Sequence, residues 1–189
     1  MNDYQIAVVI GSLRRDSYNR HLATAIQRLA PDGFSFRELR IGDLPLYNQD
    51  DDANQAEPVQ RLKREITAAD GLIFDTPEYN RSVPGVLKNA IDNASRPYGQ
   101  SAWKGKPAGI IGASVGAPGT SMAQQHLRNI LAYLNVPTLS QPEAFIQVKD
   151  GFFDAAGDIA DADTKRYLQG WMDAYTRWIK MFVTRSPRT

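Results

Sequence analysis

Ile6-Ala-Val-Val-Ile10, then Gly11-Ser-Leu-Arg-Arg-Asp-Ser-Tyr-Asn19, then Leu22, Ala25, Ile26 and Leu29 read as one strand, one polar turn and one helix. An unbroken apolar run suits a strand covered on both faces, and apolar positions three and four apart line one side of a helix. Strands buried on both faces belong to parallel sheets whose crossover helices cover them.

Working outward, the same order recurs four times. Phe34-Ser-Phe36 precedes Val59, Leu62 and Ile66; Leu72-Ile-Phe74 precedes Val86, Leu87, Ala90 and Ile91. Ala108-Gly-Ile-Ile111 precedes Leu127, Ile130, Leu131 and Leu134; Ala144-Phe-Ile146 precedes Leu168, Met172, Tyr175, Ile179 and Phe182. Right-handed crossovers then predict a three-layer α/β fold, a five-stranded parallel sheet of order 2-1-3-4-5 with helices on both faces. Pro31-Asp-Gly33 is expected to stop the first helix, and Pro58 and Pro84 to sit in first turns. No low-complexity linker divides the 189 residues, so 1–189 is read as one domain, with a fraying tail at Thr184–Thr189.

Lys plus Arg is 22 against 21 Asp plus Glu, and signs are scattered, so charge predicts neither a nucleic-acid nor a membrane partner. The absence of cysteine removes thiol nucleophiles, disulfides and Cys-held clusters. His21 and His126 are far apart in sequence and are read as packed or solvated residues, so no metal site is expected. No apolar run approaches the roughly 18 residues that span a bilayer, and Met1-Asn2-Asp3 lacks a basic start, so the expected location is cytoplasmic.

Three turns at strand ends carry the chemistry. The first, Gly11–Asn19, sets hydroxyls, an amide and guanidinium groups at a helix start, which suits an anion. It matches neither GxGxxG nor GxxxxGK[ST], and an ordinary turn capped by Ser17 is the alternative. The second, Thr76-Pro-Glu-Tyr-Asn-Arg-Ser-Val-Pro-Gly85, is stiffened by two prolines and sets an aromatic beside amide and carboxylate groups. It suits a planar heterocycle, or else caps a helix with Tyr79 in solvent. The third, the loop Gly112-Ala-Ser-Val-Gly-Ala-Pro-Gly-Thr120, allows close backbone approach. In a 2-1-3-4-5 sheet these turns line one crevice beside the switch point between the first and third strands. A phosphate grip at one end and a ring pocket at the other fit a mononucleotide. Flavin mononucleotide (FMN) fits better than a nucleotide substrate, because no catalytic dyad stands out and a redox cofactor brings its own reactivity.

These residues resemble the NADPH-dependent FMN reductases, in the flavodoxin-like branch of quinone and chromate reductases. The marks are Gly11–Asn19, Leu44-Pro-Leu-Tyr47, Thr76-Pro-Glu-Tyr-Asn80 with Ser82-Val-Pro-Gly-Val-Leu-Lys-Asn-Ala-Ile-Asp92, and Trp103-Lys-Gly-Lys-Pro107, across about Tyr4 to Phe145. The resemblance implies that Ser12, Arg14, Ser17 and Asn19 hold the FMN phosphate, that Pro77, Glu78, Tyr79 and Asn80 line the isoalloxazine, and that Ser114 and Gly116 lie on its far side. Tyr47, Arg81 and Ser82 are the substrate-side candidates. A homodimer is implied, its partner helping to wall the site, with a tetramer left open. The chain departs from its relatives at Arg81, where many have an aromatic, and at Gly119-Thr-Ser-Met122, where many have Gly-Gly-Ala-Arg.

The expected activity is reduction of bound FMN by NADPH or NADH, then of a quinone or another small electrophilic acceptor, chromate among them, by ping-pong two-electron hydride transfer without a side-chain base. Arg81 is expected to meet the phosphates of the nicotinamide nucleotide, against the alternative of a solvated surface arginine. A flavodoxin-like electron carrier serving a protein partner is the competing function, disfavoured by a net charge of +1 that offers little steering. A flavodoxin-shaped phosphatase of the low-molecular-weight kind would need a cysteine.

Overall fold

A computed structural model describes residues 4–183. The tail expected to fray, Thr184–Thr189, lies outside the described residues. The strands are β1 (Tyr4–Ile10), β2 (Phe34–Glu38), β3 (Gly71–Asp75), β4 (Ala108–Ser114) and β5 (Phe145–Gln147). All pair in parallel in the order β2-β1-β3-β4-β5, the predicted order. The helices are α1 (Tyr18–Gln27), α2 (Glu57–Ala68), α3 (Gly85–Ala94), α4 (Ser121–Tyr133) and α5 (Ala162–Phe182).

Alternation along the strands divides the core into two layers. Ile6, Val8, Ile10, Ile73 and Ile111 pack with Leu22 and Ile26 of α1 and with Leu168, Trp171, Met172 and Tyr175 of α5. Ala7, Val9, Leu72, Phe74 and Ile110 face Leu62 and Ile66 of α2, Leu87 and Ile91 of α3, and Leu127 and Leu131 of α4. Each large side chain so buried contributes about 1.5–3 kcal/mol. Trp103, from the Trp103–Pro107 mark, is fully buried and donates its indole N–H to Ile91 O at 3.0 Å, a satisfied core residue.

Three expectations change. β4 runs to Ser114 rather than ending at Ile111, because Gly112, Ala113 and Ser114 pair with Phe145, Ile146 and Gln147. The first helix ends at Gln27, before Pro31-Asp-Gly33 is reached, and the Gly33 carbonyl instead accepts the Tyr4 amide at 2.7 Å. Pro84 is the residue preceding α3, whereas Pro58 is in the first turn of α2 as expected. Among the described residues no helix is long and apolar enough to cross a membrane.

Candidate active site

The loops after β1, β3 and β4 open at the carboxyl end of the sheet, at the paired strands β1 and β3 where the strand order reverses direction. This is where open α/β sheets bind ligands. In the first loop Ser12 and Ser17 are buried although polar. Ser17 precedes α1, and its Oγ accepts the Arg20 amide at 3.4 Å; Ser12 Oγ accepts the Arg14 amide at 3.3 Å. Both hydroxyl hydrogens remain available to an anion at the start of α1, whose remaining first-turn amides are donors that a helix leaves unmet. Arg14 is half-exposed and pairs loosely with Asp16 at 3.7 Å. Asn19, also buried, spends its amide elsewhere: Nδ2 donates to Ala113 O at 3.0 Å and Oδ1 accepts the Ala113 amide at 2.8 Å, stitching α1 to β4.

The second loop is a pinned hairpin. Tyr79 and Ser82 exchange both backbone hydrogen bonds at 3.0 Å, and the two residues between them, Asn80 (φ 52°) and Arg81 (φ 62°), are left-handed. That is the geometry of a two-residue hairpin turn requiring positive φ at both central positions. Asparagine tolerates it; arginine there costs of order 1–3 kcal/mol. Both flanks of the turn are tied to α4. Glu78 Oε2 accepts the amides of Met122 and Ala123, each at 3.0 Å, and Ser82 Oγ is hydrogen-bonded to His126 Nδ1 at 3.0 Å, one turn further along. Glu78 thus caps α4, whose preceding residue, Thr120, makes no capping bond of its own. The helix-capping alternative is met by the Glu78 side chain, which leaves the backbone of the loop free of that role.

The third loop is shorter than expected, since Gly112–Ser114 belong to β4. Gly112 is needed for packing, because a Cβ there would collide with the Thr76 carbonyl and Thr120 Oγ1. Gly119 is left-handed (φ 62°) and lies against the Phe145 backbone. Of the three glycines only Gly116 has room for a Cβ, which would meet Ser114 Oγ at 3.6 Å in ordinary contact.

Four loops at this end each expose one large apolar side chain: Leu13 (60%), Leu46 (84%), Tyr79 (53%) and Val115 (63%). They put apolar surface at the same end of the sheet as the polar first loop, the kind of lining a planar ring requires. Leu46 belongs to the Leu44–Tyr47 mark, which α3 holds in place. Asn89 Oδ1 accepts the Tyr47 amide at 2.9 Å, and Asn89 and Asn93 donate to Pro45 O at 2.9 and 3.1 Å. The Tyr47 ring itself turns along α3 toward Arg96, whose guanidinium lies 5.7 Å from the ring centre, so its phenol is not brought to the hairpin.

Asp75, not singled out from sequence, ends β3 between Ile10 and Ile111 in register. It is completely buried, neither carboxylate oxygen has a partner among the described residues, and burial pushes its pKa well above the usual carboxylate range. A carboxyl closing the apolar run Gly71-Leu-Ile-Phe-Asp75 was the signal that could have found it. A cavity of about 410 Å3 lined by Ser12, Leu13, Arg20 and Gly42 adjoins the first loop. Another, of about 650 Å3, opens at the far end of α3 and α4 beside Arg96, Tyr98 and Tyr133, and none of the three loops lines it. Among the described residues no group of three His, Asp or Glu side chains could hold a metal ion.

Residues 4–150 match the family described as NADPH-dependent FMN reductase. The chain is 55% identical over 176 residues to a 2-hydroxy-1,4-benzoquinone reductase from a Burkholderia species, covering 93% of this chain and 96% of that one. It is 46% identical over 179 residues to a quinone reductase from Pseudomonas putida, covering 94% and 96%. Among solved structures, the flavoenzyme NAD(P)H:(acceptor) oxidoreductase FerB from Paracoccus denitrificans superposes with a TM-score of 0.91 at 47% identity, covering 95% of this chain and 98% of that one.

Proposed function

From the premise that this chain belongs to the NADPH-dependent FMN reductase family, we propose that it reduces quinones, hydroxylated 1,4-benzoquinones included, with electrons from NADPH or NADH. It is a flavoenzyme with FMN as its cofactor and NAD(P)H as co-substrate. The observation that supports the reading is a hydroxyl-lined start of α1 and a hairpin locked to α4, both following strands that flank the β1/β3 switch point.

The residues fit FMN. Ser12 and Ser17 hold buried hydroxyls whose hydrogens are uncommitted, at a helix start that favours a phosphate, and Arg14 adds positive charge. Pro77, Tyr79 and Asn80, with the backbone of Glu78, line the isoalloxazine on one side, and Ser114 and Gly116 flank the other. Asn19 acts through Ala113, fixing α1 and β4 relative to one another. Bound there, FMN supplies the redox chemistry by taking up a hydride equivalent and passing two electrons on. The protein binds, orients and keeps the ring in a preorganised field of backbone N–H groups, so no side-chain base is required.

A ring held between these loops would offer one open face to donor and acceptor in turn, so the expected kinetics are ping-pong. Two copies of the chain complete the site, a reading supported by the exposure of Leu13, Leu46, Tyr79 and Val115 on the loops at this end of the sheet. Initial rates at several fixed quinone concentrations test the scheme. Parallel double-reciprocal lines are expected, and intersecting lines would contradict a shared face. Turnover with purified protein, NAD(P)H and quinone alone separates the enzyme from an electron carrier that needs a protein partner.

A further inference from the structure

We infer that Arg81 selects the electron acceptor and that the acceptor it favours is an anionic, hydroxyl-bearing quinone, an inference that rests on the quinone-reductase reading of the same site. Arg81 stands at the tip of the hairpin that follows β3, next to the Pro77–Asn80 segment. Its backbone is held at φ 62°, a conformation that arginine adopts at a cost and that glycine or asparagine would adopt without one. The turn is not loose: Tyr79 and Ser82 close it, and Glu78 and Ser82 anchor it to α4. A strained residue on a rigid support presents its side chain from a fixed point, and such strain gathers where a ligand is met.

The guanidinium is exposed and forms neither an ion pair nor a hydrogen bond among the described residues. The nearest carboxylate in sequence, Glu78, is already engaged by the two α4 amides. The hairpin therefore offers one uncommitted cation at its tip, on the loop that follows β3.

A small quinone has no remote handle, so only its ring substituents can distinguish it. A quinone carrying a ring hydroxyl is a vinylogous carboxylic acid and is ionised near neutrality, and the anionic oxygen stands beside a ring carbonyl, so a guanidinium can meet that adjacent pair of oxygens with paired N–H groups. The overall reaction balances: the hydride of NAD(P)H brings two electrons and one proton, and solvent brings two protons. Both quinone carbonyls become hydroxyls, the third oxygen is reprotonated, and NAD(P)+ and a trihydroxybenzene are released. A dinucleotide donor also carries anionic phosphates, and the experiment separates the two sources of charge.

The test compares 2-hydroxy-1,4-benzoquinone with unsubstituted 1,4-benzoquinone, using the FMN-loaded wild type, Arg81→Gln, Arg81→Lys and Arg81→Gly, with NADPH and with NADH. Arg81→Gly favours the turn and removes the cation, so it guards against a folding defect. The expected result is an approximately tenfold or larger fall in the ratio of kcat/KM for the hydroxyquinone to that for benzoquinone in the Gln and Gly variants. The fall should appear in the acceptor KM, be partly rescued by Lys, and be the same with either donor. The wild-type KM for the hydroxyquinone should rise with ionic strength and that of Arg81→Gln should not. An unchanged ratio overturns the inference: alone it leaves a solvated arginine, and with a raised KM for either nucleotide it assigns Arg81 to donor phosphates. A wild type that reduces 1,4-benzoquinone but shows no preference lost on substitution sinks only this inference; one that reduces neither quinone sinks the underlying reading as well.

Discussion

The carboxylate of Glu78 accepts the backbone N–H of Met122 at 3.0 Å, and the same oxygen also accepts that of Ala123. A side chain from the ring-lining loop is thereby the N-terminal cap of α4, and the position of that loop is set by a helix 44 residues further along the chain. Removing a capping side chain typically costs about 0.5–2 kcal/mol. Glu78→Ala should lower the urea midpoint of the flavin-free protein and weaken FMN binding together, while Glu78→Gln, which keeps an acceptor oxygen, should do less of both. Unchanged unfolding in the Ala variant would show that the cap bears no weight.

Ser12 and Asn19 separate binding from stitching. Ser12→Ala removes a donor to a charged phosphate, worth roughly 1.5–3 kcal/mol, so FMN affinity should fall tenfold or more with little change in the melting of the flavin-free protein. Asn19→Ala strips the Ala113 N–H and carbonyl of partners in a buried place, at about 1–3 kcal/mol for each orphaned group. Its main effect should be on the melting of the flavin-free protein. Calorimetry of both variants without FMN decides this, and a normal melt for Asn19→Ala would return that residue to the phosphate alone.

Asp75 predicts a pH dependence of stability with a definite sign. Burial raises its folded pKa well above the ordinary aspartate value of 3.8 that stands for the unfolded chain. Below about pH 3.8 both states are protonated; above it the unfolded chain releases the proton first, so stability falls as pH rises toward the folded pKa. Asp75→Asn has nearly the same shape and does not titrate. The variant should gain on the wild type between pH 4 and pH 7.5, measured as urea midpoints of flavin-free protein. A constant difference across that range would mean that Asp75 does not titrate as its burial requires.

Sheet order, and with it the end of the sheet at which the three loops emerge, was legible because it rests on local pattern. Apolar runs such as Ile6–Ile10 and Leu72–Phe74 mark central strands wherever they pack, and the turn after each must emerge at the same end of a parallel sheet. What was not legible depends on partners distant in the chain. Nothing near Glu78 announces that its carboxylate serves α4, nor anything near Asn89 that it holds the Tyr47 amide. The glycines of Gly112–Thr120 were read as room for a ligand, whereas Gly112 makes room for the Thr76 carbonyl, a contact between neighbouring strands that exists only once they pair. His126, set aside from sequence, meets Ser82 only because α4 lies along the hairpin.

The central claim is that this chain binds FMN at the β1/β3 switch point and passes electrons from NAD(P)H to a quinone unaided. The direct measurement is the visible spectrum of FMN-saturated, gel-filtered protein under anaerobic conditions, before and after NADPH or NADH and again after 1,4-benzoquinone. The account predicts flavin absorbance that travels with the protein, bleaches on addition of the nucleotide and returns on addition of the quinone, with no second protein present. Protein that leaves the column without flavin, or flavin that stays yellow in excess of both nucleotides, would contradict it.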